Sequence, residues 1–484
     1  MQLTNSYLAL GGNFYQRIAP EKVEKPELFL WNRELAAQLC LSTEFQQNSR
    51  LLADIFSGND KSVANNAVAL AYAGHQFGGF VPQLGDGRAH LLGELHDING
   101  TRLDIQLKGS GPTRFSRNGD GRCGMGPAIR EFIMSEAMYA LGVPTARSLA
   151  VVTTGETVFR DQPQPGAVVT RVAASHLRVG SFEYFAARKD YDSVEKLSDY
   201  AIERHYPQIK SRDPARFVSL LEAVIENQIK TIIEWLRVGF IHGVMNTDNT
   251  TISGQTIDFG PCAMMGIYDL QTVYSSIDRQ GRYAYGNQPS ILQWNMARLA
   301  ETMMPLIDKD QDKALEKINE LFDRHFQHFH QPYFSMLGRK IGLADVGSEE
   351  HKLIAGLLDI LEKNRLDYTI SFLQLTQWLN EEIEFDQLDD ALKNWAMDWK
   401  SRLKQKTADM TEAIFLMQQS NPVVIPRNHH VESVIENCIN SGKPEPAETF
   451  LKVLRSPYKA LDSTFFYQDA PGDGDSGYHT FCGT

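Results

Sequence analysis

The pattern of apolar and polar residues divides the chain into a first part that predicts mostly strands and a longer part that predicts helices. Residues 91–95 and 102–107 are short apolar runs around a turn with Asn99 and Gly100 at its tip, which predicts a β-hairpin. Apolar residues at helical spacing in 126–142 predict one helix, which ends before Pro144. The runs 148–154, 156–160 and 166–173 predict further strands.

Beyond about residue 181 the apolar positions recur every three or four residues, as in amphipathic helices. The segments with this pattern are 194–206, 216–240, 291–307, 314–329, 351–363 and 390–403. Strands, one helix, more strands and then many helices is the order of a protein-kinase-like bilobal fold of the α+β class. We therefore expect a mixed, β-rich N-terminal lobe with an N-terminal extension in 1–175, a mainly helical lobe in 176–420, and a C-terminal helical extension with a mobile tail in 421–484.

Length and charge narrow the class of function. A chain of 484 residues is longer than one hydrophobic core normally serves, which agrees with two lobes. The formal charge of -12 opposes nucleic acid as a partner, because that role calls for a basic face. No run approaches the roughly 18 apolar residues of a membrane span, and the N-terminus lacks a secretory pattern, so we expect a cytoplasmic protein without a membrane partner. Five scattered cysteines indicate neither a zinc motif nor a disulfide framework.

Residues 241–260 carry the strongest indication of chemistry. They place His242, the pair Asp248 and Asn249, and Asp258 in the order of a kinase catalytic loop followed by its metal-binding Asp-Phe-Gly. A short strand pair ending at Asp258 would bring its carboxylate and the Asn249 amide oxygen to one cation. The base of an ordinary kinase is missing, because Val244 occupies its position. The simpler alternative is a turn between two strands.

Four charged residues upstream of this loop are candidates for nucleotide binding. Lys108 ends the predicted hairpin and Glu131 lies on the helix that follows, the positions of the phosphate-binding lysine and its glutamate partner in kinase-like folds. Arg171 and Arg178 follow the last predicted strand, and a guanidinium suits phosphate oxygens because it keeps its charge. For all four residues the alternative is a solvated surface charge.

Long motifs spread over nearly the whole chain resemble the selenoprotein O family, also called the YdiU family. The segments that carry the resemblance include AYAGHQFGGFVPQLGDGRAHLLGE, LKGSGPTRFSRNGDGR, TRVAASHLRVGSFE, HGVMNTDNTTISG and NPVVIPRN. Members of that family are protein adenylyltransferases with a kinase fold. They bind ATP in an orientation flipped relative to ordinary kinases and transfer AMP to protein hydroxyls.

The resemblance implies roles for individual residues. Asp248 would be the base in place of Val244, Asn249 and Asp258 would hold Mg²⁺ or Mn²⁺, and Glu131 would support the lysine. The residues implied in ATP binding are Gly85, Gly87, Arg88, Lys108, Asp120, Gly121, Arg171, Arg178 and Asp258. The partners would be the nucleotide and proteins with Ser, Thr or Tyr hydroxyls, this chain itself included.

Three alternatives remain beside AMP transfer. The first is UMP transfer from UTP with manganese. The second is an ordinary protein kinase, against which Val244 argues. The third is an inactive pseudokinase scaffold, against which the complete set of metal and phosphate residues argues, since a scaffold needs none of them.

The resemblance also implies a redox-sensitive pair of cysteines. Family members often carry a cysteine or selenocysteine close to the C-terminus, where this chain has Cys482, and Cys262 lies just beyond the Asp-Phe-Gly. A tail that reaches back could join the two in a disulfide over the active site. The alternative is two unrelated thiols.

Overall fold

The computed structural model describes residues 3–160, 162–210, 212–407 and 409–480, which form a mixed α+β structure. The helices are α1 (Arg33–Gln38), α2 (Thr43–Gln47), α3 (Ser49–Ser57), α4 (Lys61–Ala64), α5 (Met125–Ala140), α6 (Val179–Ala186), α7 (Tyr191–His205), α8 (Ala215–Val238), α9 (Gln288–Ile307), α10 (Gln311–Phe326), α11 (His330–Lys340), α12 (Ser348–Lys363), α13 (Tyr368–Leu379), α14 (Asp390–Lys406), α15 (Met410–Ser420), α16 (Asn428–Ser441) and α17 (Glu445–Leu454). Short 3-10 helices lie at Ser6–Leu10, Thr247–Asn249, Tyr285–Asn287, Phe385–Gln387 and Thr464–Tyr467. The strands are β1 (Tyr15–Arg17), β2 (Glu27–Trp31), β3 (Val68–Leu70), β4 (Gly74–Gln76), β5 (Gly79–Val81), β6 (Ala89–His96), β7 (Arg102–Lys108), β8 (Cys123–Gly124), β9 (Arg147–Phe159), β10 (Pro163–Ala173), β11 (Phe240–Ile241) and β12 (Ala263–Met264). None of the helices in these ranges has the length and apolar character needed to cross a membrane.

The central sheet has the strand order β1-β3-β6-β7-β10-β9-β2, with antiparallel neighbours, and β8 also pairs with β10. The predicted hairpin is confirmed as β6 and β7, which pair from Ala89 opposite Lys108 to His96 opposite Arg102. The runs 148–154 and 156–160 are one strand, β9, and not two. They stay continuous because β10 follows β9 past the break in the apolar pattern with a shift in register.

Both faces of the sheet are buried. Leu52 and Phe56 of α3 pack with Leu107 and other sheet residues on one face. Helix α5, the helix predicted between residues 126 and 142, covers the other face, where Ile129 and Ile133 join the core that extends into the helical part. Since α5 packs against β9 and β10 and also against α16 and α17, it links the sheet to the C-terminal helices.

Helix α8 leads directly into the loop that carries the candidate chemistry. After α8 the chain forms β11, which pairs antiparallel with β12, so that Phe240 lies opposite Met264. This ribbon closes the loop 242–262 at its base. The expected strand pair ending at Asp258 is wrong: within this fully described loop there is one bridge, between Thr250 and Thr256. The pairing does not extend outward from it, because Thr247–Asn249 form a 3-10 helix.

Candidate active site

A buried ion-pair network joins the sheet, helix α5 and the Asp-Phe-Gly segment. Lys108 Nζ, at the end of β7, donates to Glu131 Oε2 at 2.7 Å and to Asp258 Oδ1 at 2.8 Å. Arg171 on β10 donates to Glu131 Oε1 and, at 3.1 Å, to Asp258 Oδ1. Lys108, Glu131 and Arg171 are all buried. The lysine and glutamate expected to pair do so, and Arg171 is not the surface arginine of the alternative interpretation.

The network keeps Asp258 ionised. Burial alone would raise the pKa of this carboxyl, but Lys108 and Arg171 outweigh it and hold the pKa well below its usual range. The same balance lowers the pKa of Glu131, where burial is opposed by the same two cations. Two carboxylates therefore face two cations, and Asp258 Oδ2 is the oxygen that neither cation contacts.

Contacts on both sides of Asp258 hold it in an uncommon backbone conformation. Its φ of 65° lies in the left-handed region, which residues with a Cβ seldom adopt. On one side, buried His242 donates from Nε2 to Ile257 O at 2.9 Å, and burial lowers the pKa of this imidazole, so it is neutral. On the other side, the Phe259 ring packs against Phe240 at 6.1 Å between centroids. These contacts direct the Asp258 side chain toward the ion-pair network.

Asp248 has the opposite electrostatic environment. It lies in the 3-10 helix Thr247–Asn249 and is buried, and burial raises its pKa to about 6, although Arg178 and Gln76 act against the rise. Its Oδ2 accepts a hydrogen bond from Gln76 Nε2 at 3.2 Å. Its Oδ1 is shielded from solvent and has no hydrogen-bond partner among the described residues. A buried, unpaired acceptor of this kind is costly unless a ligand uses it, so Asp248 is suited to accept a proton at neutral pH.

The hairpin of β4 and β5 positions Asp248, and sequence reasoning missed it. His75 N donates to Thr247 Oγ1 at 2.7 Å, and Glu183 Oε1 lies 2.5 Å from His75 Nδ1. Gly74 permits the close approach, because a Cβ there would lie 2.7 Å from Asp248 Oδ1. The run of glycines around residues 74–79 was the one signal of this contact in the sequence.

Arg178 supports the same turn from inside the protein. Its guanidinium donates to Asp248 O at 2.8 Å and stacks over the Tyr72 ring at 4.4 Å. Asp86 Oδ1 lies 3.6 Å from Arg178 NH2, and Asp86 is held by hydrogen bonds from Leu70 N and the Gln106 side chain. Arg178 is therefore a buried residue, and its guanidinium is hydrogen-bonded to the backbone of the Asp248 turn.

A cavity of about 590 Å³ opens beside the two aspartates, within the usual size of a small-molecule site. The predicted site residues that line it are Gly85, Gly87, Arg88, Asp120, Gly121, Asp248 and Asp258. Arg117 and Arg122, which sequence reasoning did not select, line it as well. Within the described ranges the Arg88 side chain has no hydrogen-bond or ion-pair partner, so its charge is available to an anion in the cavity.

The wall of the cavity depends on close packing at Gly85 and on an ion pair at Asp120. Gly85 has a φ of 77°, and a Cβ there would lie 2.3 Å from the Phe115 ring. Asp120 binds Arg160 through both carboxylate oxygens, at 2.8 and 2.9 Å, and this interaction lowers the pKa of the Asp120 carboxyl. Any ligand that uses Asp120 directly must share it with Arg160.

Asn249 does not line the cavity that Asp248 and Asp258 share. Its Nδ2 donates to Val244 O at 3.1 Å, and it lines a small separate void together with His242 and Asn295. Oδ1 is the atom of its side chain that could bind a cation.

The last described residues of the C-terminal tail lie against the segment that follows Asp258. Thr480 Oγ1 donates to Pro261 O at 2.7 Å, and Thr480 N donates to Tyr274 O at 2.8 Å. Cys262 is fully buried, and burial raises the pKa of its thiol to about 12. The other predicted redox residue, Cys482, lies outside the described residues.

A cavity that combines an unpaired arginine, a raised-pKa carboxylate and a buried network of cations and carboxylates is typical of an enzyme that acts on a phosphorylated small molecule. The model of the family described as protein adenylyltransferase SelO matches residues 1–455 of the chain. A protein nucleotidyltransferase YdiU of Teredinibacter turnerae is 52% identical over 485 residues, covering 100% of both chains. A protein nucleotidyltransferase YdiU of Pseudoalteromonas translucida is 48% identical, and the match covers 100% of both chains. Another, of Rhizobium johnstonii, is also 48% identical, and the match covers 99% of this chain and 97% of the relative. The chain belongs to the protein adenylyltransferase SelO family and is a protein nucleotidyltransferase.

Proposed function

We propose that this chain transfers AMP from ATP to Ser, Thr or Tyr hydroxyls of proteins, its own included, and releases pyrophosphate. The observation that carries the proposal is Asp248, a buried carboxylate with an unpaired Oδ1 and a pKa raised to about 6, at a cavity that also holds Arg88 and Asp258. A base with a pKa near the working pH can take a proton in the transition state and is mostly ionised beforehand.

In the proposed reaction the acceptor hydroxyl gives its proton to Asp248 Oδ1 as its oxygen attacks the α-phosphorus of ATP. The new bond joins that oxygen to the α-phosphorus, and the bond from the α-phosphorus to the bridging oxygen of the β-phosphate breaks. The electron pair leaves with pyrophosphate, whose negative charge Arg88 would neutralise from the cavity wall that it lines. Gln76 orients the base by its hydrogen bond to Oδ2.

The chemistry of the donor atoms on Asp258 and Asn249 fits a hard divalent cation. Asp258 Oδ2 and the Asn249 side-chain oxygen are the oxygen donors that Mg²⁺ or Mn²⁺ prefers, and Lys108 and Arg171 keep the Asp258 carboxylate ionised. A bound cation of this type would supply charge neutralisation for the triphosphate. Lys108 and Arg171 add fixed positive charge behind Asp258, so that a polyphosphate would meet cations from more than one side.

We further propose that the site lies between the two lobes of a kinase-like fold, residues 1–175 and 176–420. The cavity walls support this division, because Gly85, Arg88 and Asp120 come from the first part and Asp248 and Asp258 from the second. The Lys108 to Glu131 ion pair and the position of Asp258 are also those of a kinase-like site.

Label transfer from nucleotide to protein tests the reaction. Purified protein would be incubated with Mg²⁺ and ATP labelled in turn at the α- and γ-phosphate. We expect incorporation from α-label only, with one pyrophosphate released per AMP transferred. Incorporation from γ-label only would establish a kinase instead. Label in neither experiment, with ATP bound, would favour a scaffold.

Matched variants and a change of nucleotide sharpen the test. Asp258→Ala should abolish transfer in a folded protein, and unchanged activity would refute the assigned metal role. Asp248→Asn should retain ATP binding and lose transfer, because an amide cannot accept the proton. Repeating the α-label experiment with Mn²⁺ and UTP decides between AMP and UMP transfer.

The proposal extends to a disulfide between Cys262 and Cys482, formed when both thiols give up their protons and electrons to an external disulfide such as oxidised glutathione. It is supported by Thr480, two residues before Cys482, which is hydrogen-bonded to Pro261 beside Cys262. Since burial raises the pKa of the Cys262 thiol, Cys482 would attack the external disulfide first, forming a mixed disulfide and releasing one thiolate. Cys262, once it loses its proton, would then attack the Cys482 sulfur and release the second thiolate. If mass spectrometry of the oxidised protein finds no disulfide-linked peptides that contain Cys262 and Cys482, the proposed disulfide is refuted.

A further inference from the structure

Two histidines and an aspartate come together on the C-terminal helices, away from the cavity of the candidate active site. His429 and His430 lie in the first turn of α16, and Asp469 lies just after the 3-10 helix Thr464–Tyr467. His430 Nε2 is 2.7 Å from Asp469 Oδ1, and His429 Nε2 is 3.5 Å from Asp469 Oδ2. One ligand atom from each of the three residues lies within 4.8 Å of the other two.

The two imidazole rings lie closer together than the backbone geometry of a helix requires. Neighbouring residues on an α-helix point about 100° apart, because a turn contains 3.6 residues. The rings of His429 and His430 nevertheless lie 4.0 Å apart between centroids, and both face Asp469. Their side chains therefore turn toward one point beside the carboxylate.

His429 is oriented with its polar atoms inward. Its side chain is 30% exposed, yet both ring nitrogens are shielded from solvent and neither has a hydrogen-bond partner among the described residues. The exposed atoms of the side chain are therefore carbons, although contact with water would favour exposed nitrogens. Leaving a buried polar group unpaired costs roughly 1–3 kcal/mol, so this orientation indicates a missing ligand at the nitrogens.

We propose that His429, His430 and Asp469 form a binding site for a divalent transition-metal ion of the Zn²⁺ type. Zinc binds imidazole nitrogen and carboxylate oxygen at about 2.0–2.2 Å, which places ligand atoms about 3.3 Å apart in a tetrahedron. In the cluster, one ligand atom from each residue lies within 4.8 Å of the others, and each histidine is 2.7 or 3.5 Å from one of the two Asp469 oxygens, so small side-chain shifts reach that value. Three protein ligands leave a fourth position for water, and Asp469 is exposed enough for an ion to enter.

Local charge favours a cation at this place. Arg427, the nearest arginine in the chain, is already paired with Asp367 at 2.6 and 3.1 Å. Asp475 adds a second carboxylate near the histidines, and its Oδ2 accepts from Asn428 Nδ2 at 3.0 Å. Asp469 and Asp475 therefore bring negative charge to the histidines, while Asp367 offsets the charge of Arg427.

The ligand set distinguishes this site from the one proposed for Mg²⁺ or Mn²⁺. Imidazole nitrogen suits zinc, cobalt, nickel and copper, whereas the amide and carboxylate oxygens of Asn249 and Asp258 suit hard cations. An ion at the histidines would join α16 to the segment that begins at Asp469 and ends, within the described residues, at Thr480 beside Pro261. Its role would be to fasten the C-terminal segment to the helices.

Metal binding by the full chain tests the site. Protein freed of metal with a chelator would be titrated with Zn²⁺, using a chromophoric competitor, and with Co²⁺, whose visible absorption reports its coordination. We expect one Zn²⁺ per chain at the histidines, a Co²⁺ spectrum typical of nitrogen and oxygen ligands, and a higher midpoint of thermal unfolding with Zn²⁺. Circular dichroism would verify that each variant is folded.

Variants decide where the ion binds. His429→Gln and Asp469→Asn should each weaken Zn²⁺ binding by more than about tenfold, whereas Asp258→Ala should not change it. His330→Gln is the control, because it removes an exposed histidine outside the cluster. Binding that survives both cluster variants, or that is lost only in Asp258→Ala, overturns the proposal. So does wild-type protein that fails to retain zinc.

Discussion

At neutral pH the negative charge on Asp248 should destabilise the folded protein, and a neutral side chain at this position should therefore make it more stable. Burial raises its pKa to about 6, roughly two units above an ordinary aspartate, which corresponds to about 3 kcal/mol. Because the folded-state pKa is raised, this cost is absent at a pH below the unfolded value and fully present above about 6. Asp248→Asn keeps the shape and an acceptor for Gln76 and removes the charge. It should stabilise the fold by up to about 3 kcal/mol at pH 7.5 and about half as much at pH 5.

The assay is the midpoint of thermal unfolding of wild type and Asp248→Asn at both pH values. For a chain of 484 residues unfolding as one unit, 3 kcal/mol corresponds to about 3 °C. The control is Asp258→Asn, which should destabilise the protein, because Lys108 and Arg171 hold the pKa of Asp258 down and its charge therefore stabilises the fold. Equal or lower stability of Asp248→Asn at pH 7.5, or a gap that does not narrow at pH 5, would refute the reasoning.

Other substitutions test the rest of the site. In wild type, kcat/KM should fall as the pH drops through about 6, to roughly a tenth of its plateau at pH 5, as Asp248 becomes protonated. Gln76→Ala removes a hydrogen bond that lowers the pKa of Asp248 and should move this fall to higher pH; an unmoved profile contradicts a positioning role. Glu131→Gln weakens the neutralisation of two buried cations and should lower the free energy of unfolding, measured in urea, by about 3–5 kcal/mol. A variant as stable as wild type would contradict this expectation. Arg88→Ala should weaken ATP binding about tenfold or more in calorimetry, whereas exposed Arg33→Ala should leave it unchanged; equal effects would show that Arg88 acts only through net charge.

Local patterns were enough to predict the central hairpin and the long helices, but not the short elements or the pairing of β9 with β10. The hairpin of β6 and β7 and the helix α5 follow from apolar spacing and turn residues within their own segments. The merging of the runs 148–154 and 156–160 into β9 depends on β10, which lies on the far side of a turn and takes up the irregularity by a register shift. The pairing in the catalytic loop is likewise limited to the bridge between Thr250 and Thr256 by the 3-10 helix Thr247–Asn249, which periodicity does not describe.

The same limit applies to the candidate site. Lys108, Glu131 and Asp258 could be selected from the sequence because their order along the chain is that of a known kind of site. Gln76 could not, since it reaches Asp248 across 172 residues of chain and is an ordinary polar residue in a glycine-rich stretch. Arg178 was selected for phosphate, yet it contacts the Asp248 backbone, the Tyr72 ring and Asp86, which only the folded chain reveals.

The assignment of the base rests on how differently the fold treats two aspartates ten residues apart. Protonating Asp258 would disrupt its pairing with Lys108 and Arg171, so its carboxylate stays ionised throughout the neutral range and suits charge compensation. Asp248 has an amide and a backbone-bound arginine as neighbours, and its ionisation is opposed mainly by burial, so a proton can bind at Oδ1 near neutral pH. When environment separates the pKa values of two carboxyl groups in one site, their roles separate as well. We therefore propose Asp248, and not Asp258, for the function that Val244 cannot perform.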